Sequence, residues 1–208
     1  MAHESERPLV IACAALTADL RAVLTADGLD HLVDVHYLPA HLHNMPQRIV
    51  GEVRPILEQA LVAGRRVFLA YADCGTGGLL DALLAEHPGV GRLPGAHCYE
   101  FFAGSQVFAA LQEAELGTFY LTDFLAKHFD ALVWSGLGLD RAPELRDIYF
   151  GHYTRLLLLA QTDDATVTEA ASIAAQRLGL RFERILVGRS GMQAPVYEWA
   201  VTIGKAAA

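Results

Sequence analysis

The chain has 208 residues, of which 53% are hydrophobic and 19% charged, and its net charge is -8. That composition supplies enough apolar surface for a substantial core and too little charge for a disordered chain. An acidic balance with no cluster of Lys and Arg sets aside nucleic acid as a partner. No apolar run approaches the roughly 20 residues of a membrane span.

Residues 1–7 are polar and acidic and lack the basic start and apolar stretch of a signal peptide. They are expected to be a disordered tail of a cytoplasmic protein. A single α/β domain is expected over residues 8–190, with residues 191–208 as a C-terminal extension. Residues 8–13 are apolar throughout and end on Cys13, as a strand buried on both faces would. Thr17 then serves as a helix cap, with Leu20, Val23 and Leu24 on the apolar side and Gly28 at the end. A second strand is expected over residues 32–38, running into the loop Pro39-Ala40-His41-Leu42-His43-Asn44-Met45-Pro46.

The strongest helical periodicity follows, from Ile49 to Leu61, closed by Gly64. Asn44 is a candidate cap for it, and Pro55 predicts a kink. A second buried strand covers residues 66–72, leading to Asp73-Cys74-Gly75-Thr76-Gly77-Gly78 and a short helix over 79–84. Residues 104–114 read as a helix, 117–122 as a strand and 125–129 as a short helix. Residues 131–142 are broken by glycine, and 142–153 suggest a helix. A third buried strand spans 155–161. Asp163 or Asp164 caps the helix that Gly179 closes, and a last strand covers 182–187.

Strands that alternate with helices and are apolar on both faces build a mostly parallel sheet covered by helices. The expected fold is a Rossmann-like or flavodoxin-like three-layer α/β sandwich. Its first strand lies beside the second and the third, so Cys13 and Cys74 meet at the carboxyl edge, where such sheets place their sites.

Three cysteines are the whole complement of the chain. An odd count in a reducing compartment argues against a disulfide framework. Cys13, Cys74 and Cys98, with His97 or Glu100, supply three or four donors for a metal ion. Zinc takes sulfur, nitrogen and oxygen ligands, and an iron–sulfur cluster takes thiolates. The plainer reading is that free cysteines are small core residues. A third reading makes Cys74 a nucleophile activated by the turn, with His97 as its base. The turn residues Gly75, Thr76, Gly77 and Gly78 are also candidates for cradling a phosphate or cofactor, although the Walker lysine and the full G-x-G-x-x-G are missing. A tight turn needing glycine for its backbone angles explains them more simply. His43 is kept as a pocket residue, while His36 and His41 read as structural. Tyr99, Tyr120, Tyr149 and Tyr153 could line a polar pocket, core packing being the commoner role.

These segments together resemble the uncharacterised family called domain of unknown function 1638. The resemblance is carried by the early strand with Cys13, Leu42-His43-Asn44-Met45-Pro46, Asp73-Cys74-Gly75-Thr76-Gly77-Gly78, His97-Cys98-Tyr99-Glu100 and Gly117-Thr118-Phe119-Tyr120-Leu121-Thr122. It covers residues 8 to 190. One departure is Glu115-Leu116-Gly117, where the family commonly has a proline–glycine pair. The resemblance implies a cytoplasmic protein, in some members associated with corrinoid-dependent methyl transfer. Its cysteine-bearing motifs fit a metal site at Cys13, Cys74 and Cys98.

The expectation is therefore a metal-binding protein, with zinc first and an iron–sulfur cluster second. His97 or Glu100 is expected to complete or support the ligand set; as an enzyme, Glu100 would be the nearby proton carrier and Tyr120 a positioning group. As an enzyme it would act on a small molecule, in or near one-carbon metabolism. As an accessory protein it would deliver a metal or cofactor to a corrinoid or methyltransferase partner.

Overall fold

The computed structural model describes the backbone of residues 7–206 and side chains through residue 202. The expected tail over residues 1–7 thus lies outside the described residues except for Arg7. The chain divides into two compact units, one of residues 1–101 with 189–208 and one of residues 102–188. Each contains its own all-parallel sheet, so the α/β architecture is as expected but the strands divide between two sheets. Among the described residues no helix is long and apolar enough to cross a membrane.

The first unit holds β1 (Leu9–Cys13), α1 (Thr17–Ala26), β2 (Asp34–Leu38), α2 (Ile49–Val62), β3 (Val67–Ala70), α3 (Leu79–Ala85) and β4 (Gly91–Arg92). Its strand order is β2-β1-β3-β4, the flavodoxin-like sequence of neighbours. β1 and β3 are buried along nearly their whole length, which is why both lack alternation. Their pairing runs from Leu9 opposite Val67 to Ala12 opposite Ala70. The next step along each chain is Cys13 and Tyr71.

From β1 the chain moves out to β2, and from β3 it moves the other way to β4. With right-handed crossovers the two following segments leave on opposite faces. The crevice at the carboxyl ends of β1 and β3 is thus the topological switch point of the sheet. Ile11, Leu42, Val53, Leu57, Leu69, Tyr71, Leu80 and Leu83 form the core beneath it.

Two helical details differ from expectation. Thr17 opens α1, but its hydroxyl donates to the Ala14 carbonyl at 2.7 Å and is no cap. Asn44 is followed by a 3-10 turn over Pro46–Arg48, and α2 begins only at Ile49, too far on for Asn44 to cap it. The expected extension over 191–208 is largely the helix α9 (Ser190–Ala206), which belongs to this unit. Arg189 pairs with the buried Asp19 at 2.7 Å, and Trp199 stacks on Phe68 at 5.3 Å. Pro195 within it broke the helical signal in the sequence.

The short helix α4 (Cys98–Ala103) leads out of this unit. The second unit contains α5 (Ser105–Ala114), β5 (Thr118–Thr122), α6 (Asp123–Lys127), α7 (Leu145–Phe150), β6 (Arg155–Ala160), α8 (Ala165–Leu178) and β7 (Arg181–Leu186). The strand order is β5-β6-β7. Thr122 caps α6, and Asp164 caps α8 by accepting from the Thr166 amide at 2.9 Å. The glycine-broken stretch contains one π-helical turn over Asp130–Trp134. Buried Arg155 is fully engaged, donating to the Thr118 hydroxyl at 2.8 Å and to Glu183 at 2.9 Å.

Candidate metal centre at the carboxyl edge of the first sheet

Three thiols lie near the switch point, each carried by a different segment. Cys13 is the last residue of β1. Cys74 lies four residues beyond β3, and Cys98 is the first residue of α4. The loops carrying the last two are joined by backbone bonds, from the Asp73 amide to the Gly95 carbonyl (3.1 Å) and from the Cys74 amide to the Ala96 carbonyl (2.8 Å). The thiols are close enough to feel one another's charge: Cys98 senses Cys74 and Cys13, and Cys74 senses Cys13. All three are free, and each keeps some exposed surface.

That partial exposure sits in densely packed surroundings. Desolvation is the main influence on every thiol, raising Cys13 and Cys98 and pushing Cys74 up to about 12. Backbone amides oppose it: Ala15 at Cys13, Tyr99 at Cys98, and Cys98 at Cys74. The groups are therefore neutral thiols at physiological pH, ringed by donors that favour a thiolate once a cation replaces the proton.

Cys74 has a backbone φ of 51°, the left-handed region that a side chain with a Cβ rarely adopts, and it is the one non-glycine residue with positive φ among the described residues. The turn around it explains how that conformation is held. The Asp73 carboxylate accepts from the Thr76 hydroxyl at 2.5 Å, the Gly77 amide at 3.0 Å and the Gly78 amide at 2.9 Å. Burial alone pushes the Asp73 carboxyl up, but these bonds and the Arg92 charge together hold it below its ordinary value. The donors of Thr76, Gly77 and Gly78, considered above as a phosphate cradle, thus face a carboxylate supplied by the chain itself. An incoming anion would meet both occupied donors and like charge. The residues organise the turn that presents Cys74.

Arg92 braces the other side. It pairs with Asp81 at 2.6 Å and donates to the carbonyls of Leu93 (2.7 Å) and Gly95 (3.2 Å). Gly95 has a φ of +90°, and a Cβ there would meet the Glu100 carboxyl group at 3.0 Å. The Glu100 carboxylate accepts from the Ala96 amide at 2.8 Å. Glu100 therefore fastens the segment that delivers Cys98. A glutamate that reaches back over a helix start is a capping device, which makes Glu100 structural in this arrangement. His97 occupies the position just before α4, where its carbonyl accepts from the Glu100 amide at 3.1 Å, and its ring lies 6.2 Å from that of Tyr99.

The histidine loop reaches the site through its far end. A Cβ on Gly75 would lie 3.4 Å from Pro46, and Leu42 is buried in the core under the thiols. His43 is an exposed residue, with desolvation by the atoms around it lowering its pKa. Tyr120 lies in the second unit. It is buried there against Phe108, ring to ring at 5.1 Å, near Arg155 and Thr118.

Tyr71 is the residue that sequence reasoning passed over. It stands in the apolar run that ends at Cys74, so it reads as core. It is only 1% exposed, and its hydroxyl has only the weakly accepting Cys13 thiol in reach. Burial first, then the field of Cys13 and a hydrogen bond to its thiol, then the field of Cys74, raise the phenol. A tyrosine at the end of a buried strand, between two cysteine-bearing ends, is the signal that was available in the sequence.

The donor set suits a soft or borderline cation. Among the described residues no three His, Cys, Asp or Glu side chains stand close enough together to hold a metal ion.

A family model described as a protein of unknown function (DUF1638) matches residues 37–194, which include Cys74 and Cys98 and begin after Cys13. No curated protein and no solved structure matches the chain.

Proposed function

The chain belongs to the DUF1638 family of proteins of unknown function, and we propose that it is a metal-binding protein whose ligands are Cys13, Cys74 and Cys98. The observation that carries this reading is that three thiols, one from each of three segments, lie near the switch point of a flavodoxin-like sheet. Binding would require the thiols to approach more closely and would displace their protons. Three protein ligands leave one position for a substrate, the pattern of a catalytic site. Zinc is the first choice, because it accepts three thiolates and a variable fourth ligand without redox chemistry. The association of some members with corrinoid-dependent methyl transfer, which the resemblance implies, makes a small methyl-accepting molecule the first substrate to try.

A metal-free nucleophile at Cys74 fits less well. Nucleophilic cysteines are thiolates with lowered pKa, whereas burial and the neighbouring Cys13 push Cys74 up to about 12.

Elemental analysis of protein purified without chelator and without oxidation, with its absorption spectrum, tests the proposal. About one zinc per chain, lost in Cys13→Ser, is the expected result. A brown protein with stoichiometric iron replaces zinc by an iron–sulfur cluster. Protein with intact thiols that neither contains nor takes up metal overturns the proposal.

A further inference from the structure

We propose that β7 is an interaction surface for a second copy of this chain, the two strands pairing antiparallel, edge to edge, about a two-fold axis through Phe182. The inference concerns the second unit alone and stands apart from the thiol site.

The sheet β5-β6-β7 has two edge strands, and they differ. β5 is buried apart from Phe119. β7 is exposed at both ends and half-buried between them. It packs chiefly on β6 and α8, and among the described residues no strand pairs with its outer side. Its pairing with β6 is unbroken from Arg181 to Leu186, with neither proline nor bulge to blunt the edge. The Arg181 and Val187 amides donate inward, to the Thr154 carbonyl at 3.1 Å and the Ala160 carbonyl at 2.8 Å. Strand alternation therefore turns the N–H and C=O groups of Phe182, Arg184 and Leu186 outward, an open template for another strand.

The side chains select the partner. A two-fold axis perpendicular to the sheet keeps each face on its own side, so residues that meet across it are an even number of positions apart. With Phe182 on the axis, Arg181 lies opposite the partner's Glu183, and Glu183 opposite the partner's Arg181. An axis through Arg181, Glu183 or Arg184 would set that charge against its own copy. An axis through Ile185 would set Glu183 and Arg184 against the apolar Val187 and Leu186. Opposite charges that face each other across strands favour the Phe182 register, and like charges disfavour the others that produce them.

Both faces of the sheet fit that register. The Arg181 and Glu183 side chains are 56% and 41% exposed and already pair at 3.1 Å, while Glu183 also accepts from Arg155 at 2.9 Å. The contact thus extends an existing charge network across the axis and buries no lone charge. On the other face Phe182 lines an open groove with Ile173 and Gln176 of α8. Ile173 is 48% exposed. The axis brings Phe182 against the partner's Phe182, an aromatic pair flanked by the two Ile173 side chains.

Sedimentation velocity of the full chain in reducing buffer tests the proposal. The wild type should pass from monomer to dimer as its concentration rises to about 100 μM. Arg181→Glu sets carboxylates against each other on both sides of the axis and should raise the dimer Kd about tenfold. Phe182→Cys places two thiols across the axis, so mild oxidation should join the copies through position 182, as peptide mapping reads. Arg184→Cys lies opposite the partner's Leu180 and should not cross-link through position 184. Circular dichroism checks that the variants fold. A wild type that stays monomeric overturns the proposal, including the case in which the edge serves a different protein, and that result needs no variant. A dimer that Arg181→Glu leaves unchanged, or one that cross-links through position 184 and not 182, overturns it as well.

Discussion

Tyr71 follows β3 at the register step where Cys13 closes β1, and its buried hydroxyl has only the weakly accepting Cys13 thiol in reach. The relationship joins fold to site. The same parallel pairing that buries the strands brings a thiol and a poorly satisfied donor together at the end of the sheet. It also predicts a stability effect of unusual sign. In the metal-free protein Tyr71→Phe removes an oxygen that costs free energy and leaves the ring packing in place. The variant should be more stable by about 1 kcal/mol, read as a higher urea midpoint at unchanged slope. A loss of stability would mean that the bond to the Cys13 thiol outweighs the cost of burying the hydroxyl.

Asp73 governs the turn that carries Cys74. Replacing it with alanine leaves the Thr76 hydroxyl and the Gly77 and Gly78 amides without their acceptor. The cost should be about 2 kcal/mol, the scale of hydrogen bonds to a charged group. The contribution depends on pH with a definite sign. The folded carboxyl is held below its ordinary value, so its stabilisation is whole above the unfolded pKa and is lost as pH falls through the folded one. Acid unfolding of the wild type should therefore include a component that Asp73→Ala lacks. Superimposable acid transitions would contradict this.

The left-handed backbone at Cys74 reverses an ordinary preference. At a φ of 51° a Cβ is strained and glycine is not. Cys74→Gly should therefore be more stable than Cys74→Ala by up to about 1 kcal/mol, even after the larger unfolded-state entropy of glycine. Thermal unfolding of the two variants side by side checks it, and an alanine variant that melts higher would be the contrary result.

The thiols carry an alkaline signature. Unfolded cysteine loses its proton near pH 8.5 or so, whereas burial holds Cys74 up to about 12 and raises Cys13 and Cys98. Their contribution is whole below the unfolded pKa and is lost as pH rises through the folded values. Metal-free protein should lose stability steadily over that range, and Cys74→Ala should lose less. In the zinc-loaded protein the thiols are already ionised, so that slope should disappear. Loading at neutral pH should release about three protons per ion, one from each thiol, measurable by calorimetry in buffers of different ionisation enthalpy.

Much of the fold was legible in the sequence because β1, β3 and β6 are buried on both faces and read as unbroken apolar runs. The neighbouring of Cys13 and Cys74 followed from the parallel topology. The delivery of Cys98 did not. It depends on the two-residue β4, on Arg92 gripping carbonyls at 93 and 95, and on Glu100 tying Ala96, contacts that leave no periodicity. Glu100 looked like a proton carrier because a carboxylate near a cysteine and a carboxylate fastening a helix start have the same sequence. The glycine turn looked like an anion cradle for a related reason: it is one, and Asp73 fills it. Tyr71 stayed hidden because its hydroxyl is invisible in a hydrophobicity pattern. The division of the strands between two sheets leaves no mark in the alternation of elements.

The most direct test of the three-thiol centre is thiol protection by zinc. Metal-free protein is mixed with a chromogenic thiol reagent, with and without one equivalent of zinc, and the reacting thiols are counted. The account predicts three that react slowly without zinc and none in the presence of a single equivalent, because one ion holds all three. Three thiols that react at the same rates with and without zinc would contradict it.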